Sequence, residues 1–221
     1  MNPRHLLFHL VIASATLSLT HAEGRSGFGS PKPVGPFSNG VLPTLSVVPT
    51  GVVVEKAFPA LAWESPVDAR PWPEAPGQLM ITEMDGRIYR VADSDAATGK
   101  ELVLDIQDRV WYLNWDNNDP TSKHGGILST VFHPQFGKGQ GKDYLYVYYL
   151  HHPGDQPNAN PPFYDRLARF TWNGSAFLPS SEQILINQYD TAKGHEGGGM
   201  CFGADGFLYI VGRKRDMLKI G

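Results

Sequence analysis

After residue 50 the chain is a succession of short apolar runs cut by glycine, proline, asparagine and aspartate. None of the runs keeps the three-to-four-residue spacing of an amphipathic helix, so the pattern predicts strands and turns. Residues 79–82 and 87–91 read as a hairpin across Met84-Asp85-Gly86, and 102–106 as another short strand. Residues 127–132 precede a tyrosine-rich strand at 144–149. Residues 166–172 and 176–177 flank an Asn173-Gly174 turn, and 183–186 reads as an outer strand. Residues 52–58 look like a first strand. Near the end, Met200-Cys201-Phe202 and Phe207-Leu208-Tyr209-Ile210 flank Asp205-Gly206, a pair suited to a type I′ turn with positive φ at both centres.

One arrangement recurs. Gly125-Gly126 opens an apolar run ending in Phe132, and Leu145-Tyr146 follows. Gly198-Gly199 opens a run ending in Phe202, and Leu208-Tyr209 follows. Residues 78–82 make a weaker third copy. The second strands begin at Leu79, Leu145 and Leu208, spacings of about 66 and 63 residues, in the manner of internal repeats. Repeated sheet units of this kind predict propeller blades. His195 enters the run Gly197-Gly198-Gly199, where backbone or a ligand can come close. A ligand-facing histidine and an ordinary surface histidine in a glycine-rich bend are both open, and the local pattern alone favours the second.

Composition narrows the picture. The chain has 221 residues, a formal charge of −3, 19% charged residues, 24 glycines and 18 prolines. That balance gives no electrostatic reason for nucleic acid or an anionic membrane as partner. The lone Cys201 excludes an internal disulfide and a thiolate metal cluster, and its apolar strand predicts a buried thiol. Residues 1–22 read as a signal peptide: Arg4, an apolar stretch over 6–19, then Thr20-His21-Ala22 for cleavage. The stretch is too short and interrupted to span a membrane. The expected location is therefore secreted or periplasmic. Residues 23–50, rich in glycine, proline and serine, predict a flexible lead-in, and 51–221 a partial propeller.

Several further residues invite chemistry. Trp111 and Trp115 beside Asp116-Asn117-Asn118-Asp119 suit a stacked sugar or a calcium ion. The spacing is not that of an EF-hand, and a solvated turn with packed aromatics is the favoured reading. His133 before Pro134 reads as a loop residue satisfied by hydrogen bonds. His151-His152 would point to opposite faces of a strand, a poor chelating pair, and predicts an exposed loop. Arg213-Lys214-Arg215 reads as a solvated basic cluster.

The ordered set Phe58-Pro59-Ala60-Leu61, Glu64-Ser65-Pro66-Val67, Thr82-Glu83-Met84-Asp85-Gly86-Arg87-Ile88, Gly125-Gly126-Ile127-Leu128, Phe132-His133-Pro134-Gln135-Phe136, Tyr144-Leu145-Tyr146-Val147-Tyr148-Tyr149, Arg166-Leu167-Ala168-Arg169-Phe170 and the His195 stretch resembles the glucose/sorbosone dehydrogenase family, the soluble quinoprotein sugar dehydrogenases and their relatives. The resemblance runs from about residue 52 to 211 in family order. It implies an all-β fold, a six-bladed propeller of which about two and a half blades are present. It implies pyrroloquinoline quinone (PQQ) and calcium in a full-length member. His195 then matches the base that takes the sugar hydroxyl proton while hydride moves to the quinone. His124, where the family has glutamine, and His195 are the implied quinone contacts. Calcium ligands are not assignable in this chain, and no metal-binding residue is named.

Three departures stand beside this. Gly194 replaces an acidic residue, His124 replaces glutamine, and Gly212-Arg213 replaces Gly-Asp. Residues 213–221 leave the family pattern, as a truncated or frame-shifted reading frame would make them, and this length alone is expected to be inactive. Two functions follow. One is an exported PQQ-dependent oxidoreductase acting on sugars or related polyols and aldoses. The other is a non-catalytic propeller that binds carbohydrate or a protein partner. A calcium-dependent propeller hydrolase would need inward carboxylates from several blades, and no such set is visible.

Overall fold

The computed structural model describes residues 55–114, 123–154, 162–191, 197–212 and 217–221. The apolar runs form strands that pair antiparallel with their sequence neighbours, as chains with short turns do. The first blade is a four-stranded sheet: β1 (Pro66–Pro71), β2 (Gln78–Glu83), β3 (Arg87–Ala92) and β4 (Glu101–Asp105). A two-stranded hairpin of β5 (Tyr112–Asn114) and β6 (Lys123–Gly125) follows. The second blade runs outward through β7 (Ile127–Phe132), β8 (Tyr144–His151), β9 (Phe163–Thr171) and β10 (Gln183–Asp190). The third sheet holds β11 (Gly197–Phe202), β12 (Leu208–Gly212) and β13 (Met217–Ile220). The fold is all-β, an arc of a propeller. Its helical content among the described residues is one 3₁₀ turn, Pro179–Ser181.

The second blade explains the packing. Its β8 is buried on both faces, and period-two alternation divides the side chains. Leu145, Val147 and Tyr149 join Met80, Ile88, Leu104 and Trp72 of the first blade. Tyr146 and Tyr148 join Met200, Leu208 and Ile210 of the third sheet. At one end of the first seam Trp72 meets Trp172 at 5.1 Å, Phe132 at 5.3 Å and Phe136 at 5.9 Å between ring centroids. These near-perpendicular pairs add to the area they bury.

Most predicted strands are present, with three corrections. Residues 55–58 are irregular rather than a strand, and Phe58 takes φ +53° to turn its ring under Trp63; residues 52–54 lie outside the described residues. The Asp205-Gly206 turn is not type I′: only Gly206 has positive φ, +79°. The Gly203 amide donates to the Phe207 carbonyl at 2.9 Å, closing a three-residue loop whose last member is left-handed. Cys201 is exposed, because it alternates with the buried Met200 on a strand with one covered face. Residues 217–220 add a strand to the third sheet, with Leu208 opposite Ile220. The proposed signal peptide, 1–22, and lead-in, 23–50, lie outside the described residues.

Two histidines sit at joints. Nδ1 of His133 accepts the Gln135 amide at 3.1 Å, and the ring packs on Tyr146 and on Phe202 of the third sheet. That agrees with a hydrogen-bonded loop residue. His151 and His152 are not on an exposed loop. The His151 Nδ1–H donates to the Arg109 carbonyl at 2.7 Å, and His152 is 5% exposed. Burial pushes the pKa of His151 down. Burial does the same for His133, reinforced by Lys142 and Arg169.

Two outcomes follow. Trp72→Ala should lower stability by about 3–5 kcal/mol in urea denaturation, the range for deleting a buried tryptophan. A loss under about 1 kcal/mol, the size of an ordinary substitution, would mean the ring cluster does not hold the seam. For the histidines, a depressed folded pKa means the unfolded chain binds the proton first. Their stabilisation is present above the unfolded value, about 6.5, and is lost as pH falls toward the folded values. Melting temperature should therefore drop between about pH 7 and pH 5. A His133→Gln/His151→Gln variant should show a flatter profile, and an unchanged slope would exclude these two groups as its source.

Candidate functional site

The innermost strands all begin at one end of the sheets. Pro66 lies opposite Glu83, and the Met84 amide donates to the Ser65 carbonyl at 3.0 Å, so the start of β1 sits beside the β2–β3 turn. The Ile127 amide donates to the Met84 carbonyl at 2.8 Å, which brings the start of β7 to the same turn. Gly198, near the start of β11, comes so close to β7 that a Cβ would stand 2.8 Å from the Leu128 Cβ. This shared end is the rim.

Glycine pairs make that approach possible. Gly125 and Gly126 have φ +74° and +80°, and Gly197 and Gly198 have +84° and +114°. A side chain on Gly125 would strike the Trp111 ring, and one on Gly126 the Met84 carbonyl. The space beside Gly197 and Gly198 is filled by Val211 and Leu128. The glycines therefore admit the neighbouring strand and blade, the backbone approach that the sequence left open beside that of a ligand.

His124 lies on the rim. It occupies β6, where it stands opposite Leu113, and it directly precedes the Gly125–Gly126 pair. It is half-buried. His195 lies outside the described residues, as does Trp115; β11 begins two residues after His195. The structure therefore describes one of the two residues proposed from the sequence, His124. Trp111 is fully buried, its ring 5.0 Å from Phe163, which fits the packed-aromatic reading. His151 ends β8 at the same rim, and His152 follows it.

Sequence reading missed the charged cluster beside the β2–β3 turn. Glu83 is fully buried. Its Oε1 accepts the Glu64 amide at 2.7 Å and Lys100 Nζ at 3.1 Å, and Arg87 Nη2 lies 3.3 Å from Oε2. Arg87 also pairs with Asp85 at 2.5 Å, and Gln107 donates to Asp85 at 2.9 Å. Lys100 lies 3.9 Å over the Tyr89 ring and 4.4 Å over Trp63. Two cations and a backbone amide surround a buried carboxylate, the arrangement that makes such burial tolerable. The hydrogen bond that Arg87 donates to Asp85, with both carboxylates nearby, drives the Arg87 pKa upward against the effect of burial. The available signal was Glu83 in a strand whose neighbours are apolar; its partners 17 and 19 residues away had none.

Among the described residues no group of three or more His, Cys, Asp or Glu side chains stands ready to hold a metal. Nor, among them, is any helix long and apolar enough to cross a membrane.

A model of the glucose / sorbosone dehydrogenase family matches residues 63–217. Among solved structures, an oxidoreductase (glucose dehydrogenase) from Thermus thermophilus is similar at 19% identity and TM-score 0.50, over 68% of this chain and 37% of its own. Two further structures described as glucose dehydrogenases match at 19% and 18% identity, with TM-scores of 0.48 and 0.47. They are covered over 67% and 68% of this chain and 38% of each of theirs. The chain thus spans less than two-fifths of the length of these proteins, and at such identity the first likeness speaks for the fold.

Proposed function

The chain belongs to the glucose / sorbosone dehydrogenase family, and from that premise we propose that the protein is an exported oxidoreductase that oxidises a hydroxyl of a sugar, or of a related polyol or aldose, with PQQ as its quinone. What supports this reading is the rim. The three innermost strands begin there, His124 stands on it, and β11 begins there two residues after His195. A propeller gathers its inner-strand ends around one axis, so residues from separate blades converge on a small ligand.

In this reading His195 takes the hydroxyl proton. Neutral imidazole suits that task, with an ordinary pKa near working pH. His124 contacts the quinone. PQQ, when bound, would supply the hydride acceptor. The described residues alone do not make its cradle: His124 is a single donor, and calcium has no ligand set among them. Export rests on residues 1–22, and secreted protein should begin at Glu23.

The second reading, a non-catalytic propeller that binds carbohydrate or protein, is favoured by Gly194 and His124, which stand where relatives carry an acid and a glutamine. One assay separates the two: dye reduction by the full-length protein with PQQ, calcium and a panel of aldoses. His195→Ala should lower kcat by about 10²–10⁴-fold, the usual contribution of a general base. Quinone affinity should change far less, because the base acts in the transition state. Equal rates would remove His195 from the mechanism. Quinone binding without turnover on any sugar would establish the non-catalytic reading instead.

A further inference from the structure

Among the described residues the β5–β6 hairpin is the smallest sheet, and it carries His124. A lone two-stranded ribbon is marginal in water, so its position depends on what it is tied to. Its root is fixed by the Gly126 amide, which donates to the Trp111 carbonyl at 2.6 Å. Beyond the root, the Tyr112 hydroxyl lies 2.8 Å from Ser65 Oγ. Tyr112 stands opposite Gly125, and the next pair along the ribbon is Leu113 with His124.

Ser65 is a firm anchor. Its backbone is left-handed, φ +47°, a conformation that persists only when its surroundings impose it. Its carbonyl accepts the Met84 amide at 3.0 Å. The preceding Glu64 amide is bound to buried Glu83, itself held by Lys100 and Arg87. A continuous set of contacts thus runs from the charged cluster of the first blade to the hairpin. Burial raises the Tyr112 pKa, so the phenol keeps its proton at ordinary pH.

We infer that Tyr112 and Ser65 are positioning residues whose hydrogen bond sets where His124 stands on the rim; their relevance to the reaction rests on the proposed contact between His124 and the quinone. The test uses the full chain and reads His124 directly, by NMR of its imidazole and by amide hydrogen exchange. Tyr112→Phe and Ser65→Ala should each shift the His124 ring signals, and the double variant should resemble the singles, because one bond is shared. Amides of residues 112–114 and 123–125 should exchange roughly two- to ten-fold faster, the range one net hydrogen bond supports. Amides of β8 and β9 should keep their wild-type protection. Unmoved His124 signals would overturn the inference, and so would loss of protection throughout the blades. Adding PQQ to the full-length wild-type protein separates this from the reading beneath it. Ring signals that respond to the substitutions but not to PQQ would overturn the quinone contact and leave the positioning in place.

Discussion

No blade of this protein can bury both of its faces alone. A twisted antiparallel sheet with apolar residues on both sides needs a neighbour on each side. In the second blade the requirement is met in full: Tyr149 and Val147 face one seam, Tyr146 and Tyr148 the other. The tyrosine run at 144–149 is thus the record of a strand enclosed on both sides. The seams in turn require innermost strands to pass close to the adjoining blade. Positive φ at Gly125, Gly126, Gly197 and Gly198, with no Cβ, allows it.

The same constraint makes the rim. Because each innermost strand meets its neighbour through its first residues, the starts of β1, β7 and β11 fall at one end, and His124 with them. The opposite end is closed by rings: Trp72, Phe132, Phe136, Trp172 and Phe177. One end is locked by packing. The other carries polar and charged groups, among them buried Glu83 and Asp85. Functional groups tend to stand where a rigid scaffold presents short connections, and this rim is such a place.

Much of this was legible in the sequence because strands and turns are local. The Gly-Gly and Leu-Tyr spacing announced the blades, and Met84-Asp85-Gly86 and Asn173-Gly174 announced their hairpins. The errors arose where a local pattern met tertiary context. Cys201 alternates with Met200, and burial of the first depends on what covers the far face of its sheet. His151 is half-buried and His152 buried because Arg109 and Phe163 reach them from 42 and 11 residues away, which no pattern announces. The bond between Ser65 and Tyr112 spans 47 residues and leaves no mark in either neighbourhood. His195, named from its glycines and its family position, remains the part of the site that sequence carries by itself.

The central claim is that the end where β1, β7 and β11 begin is the working face. A crystal structure of the full-length protein grown with PQQ tests it most directly. The account predicts quinone density at that end, within contact distance of His124 and His195. Quinone bound at the other end, beside Pro134 and the Asn173 turn, would contradict it.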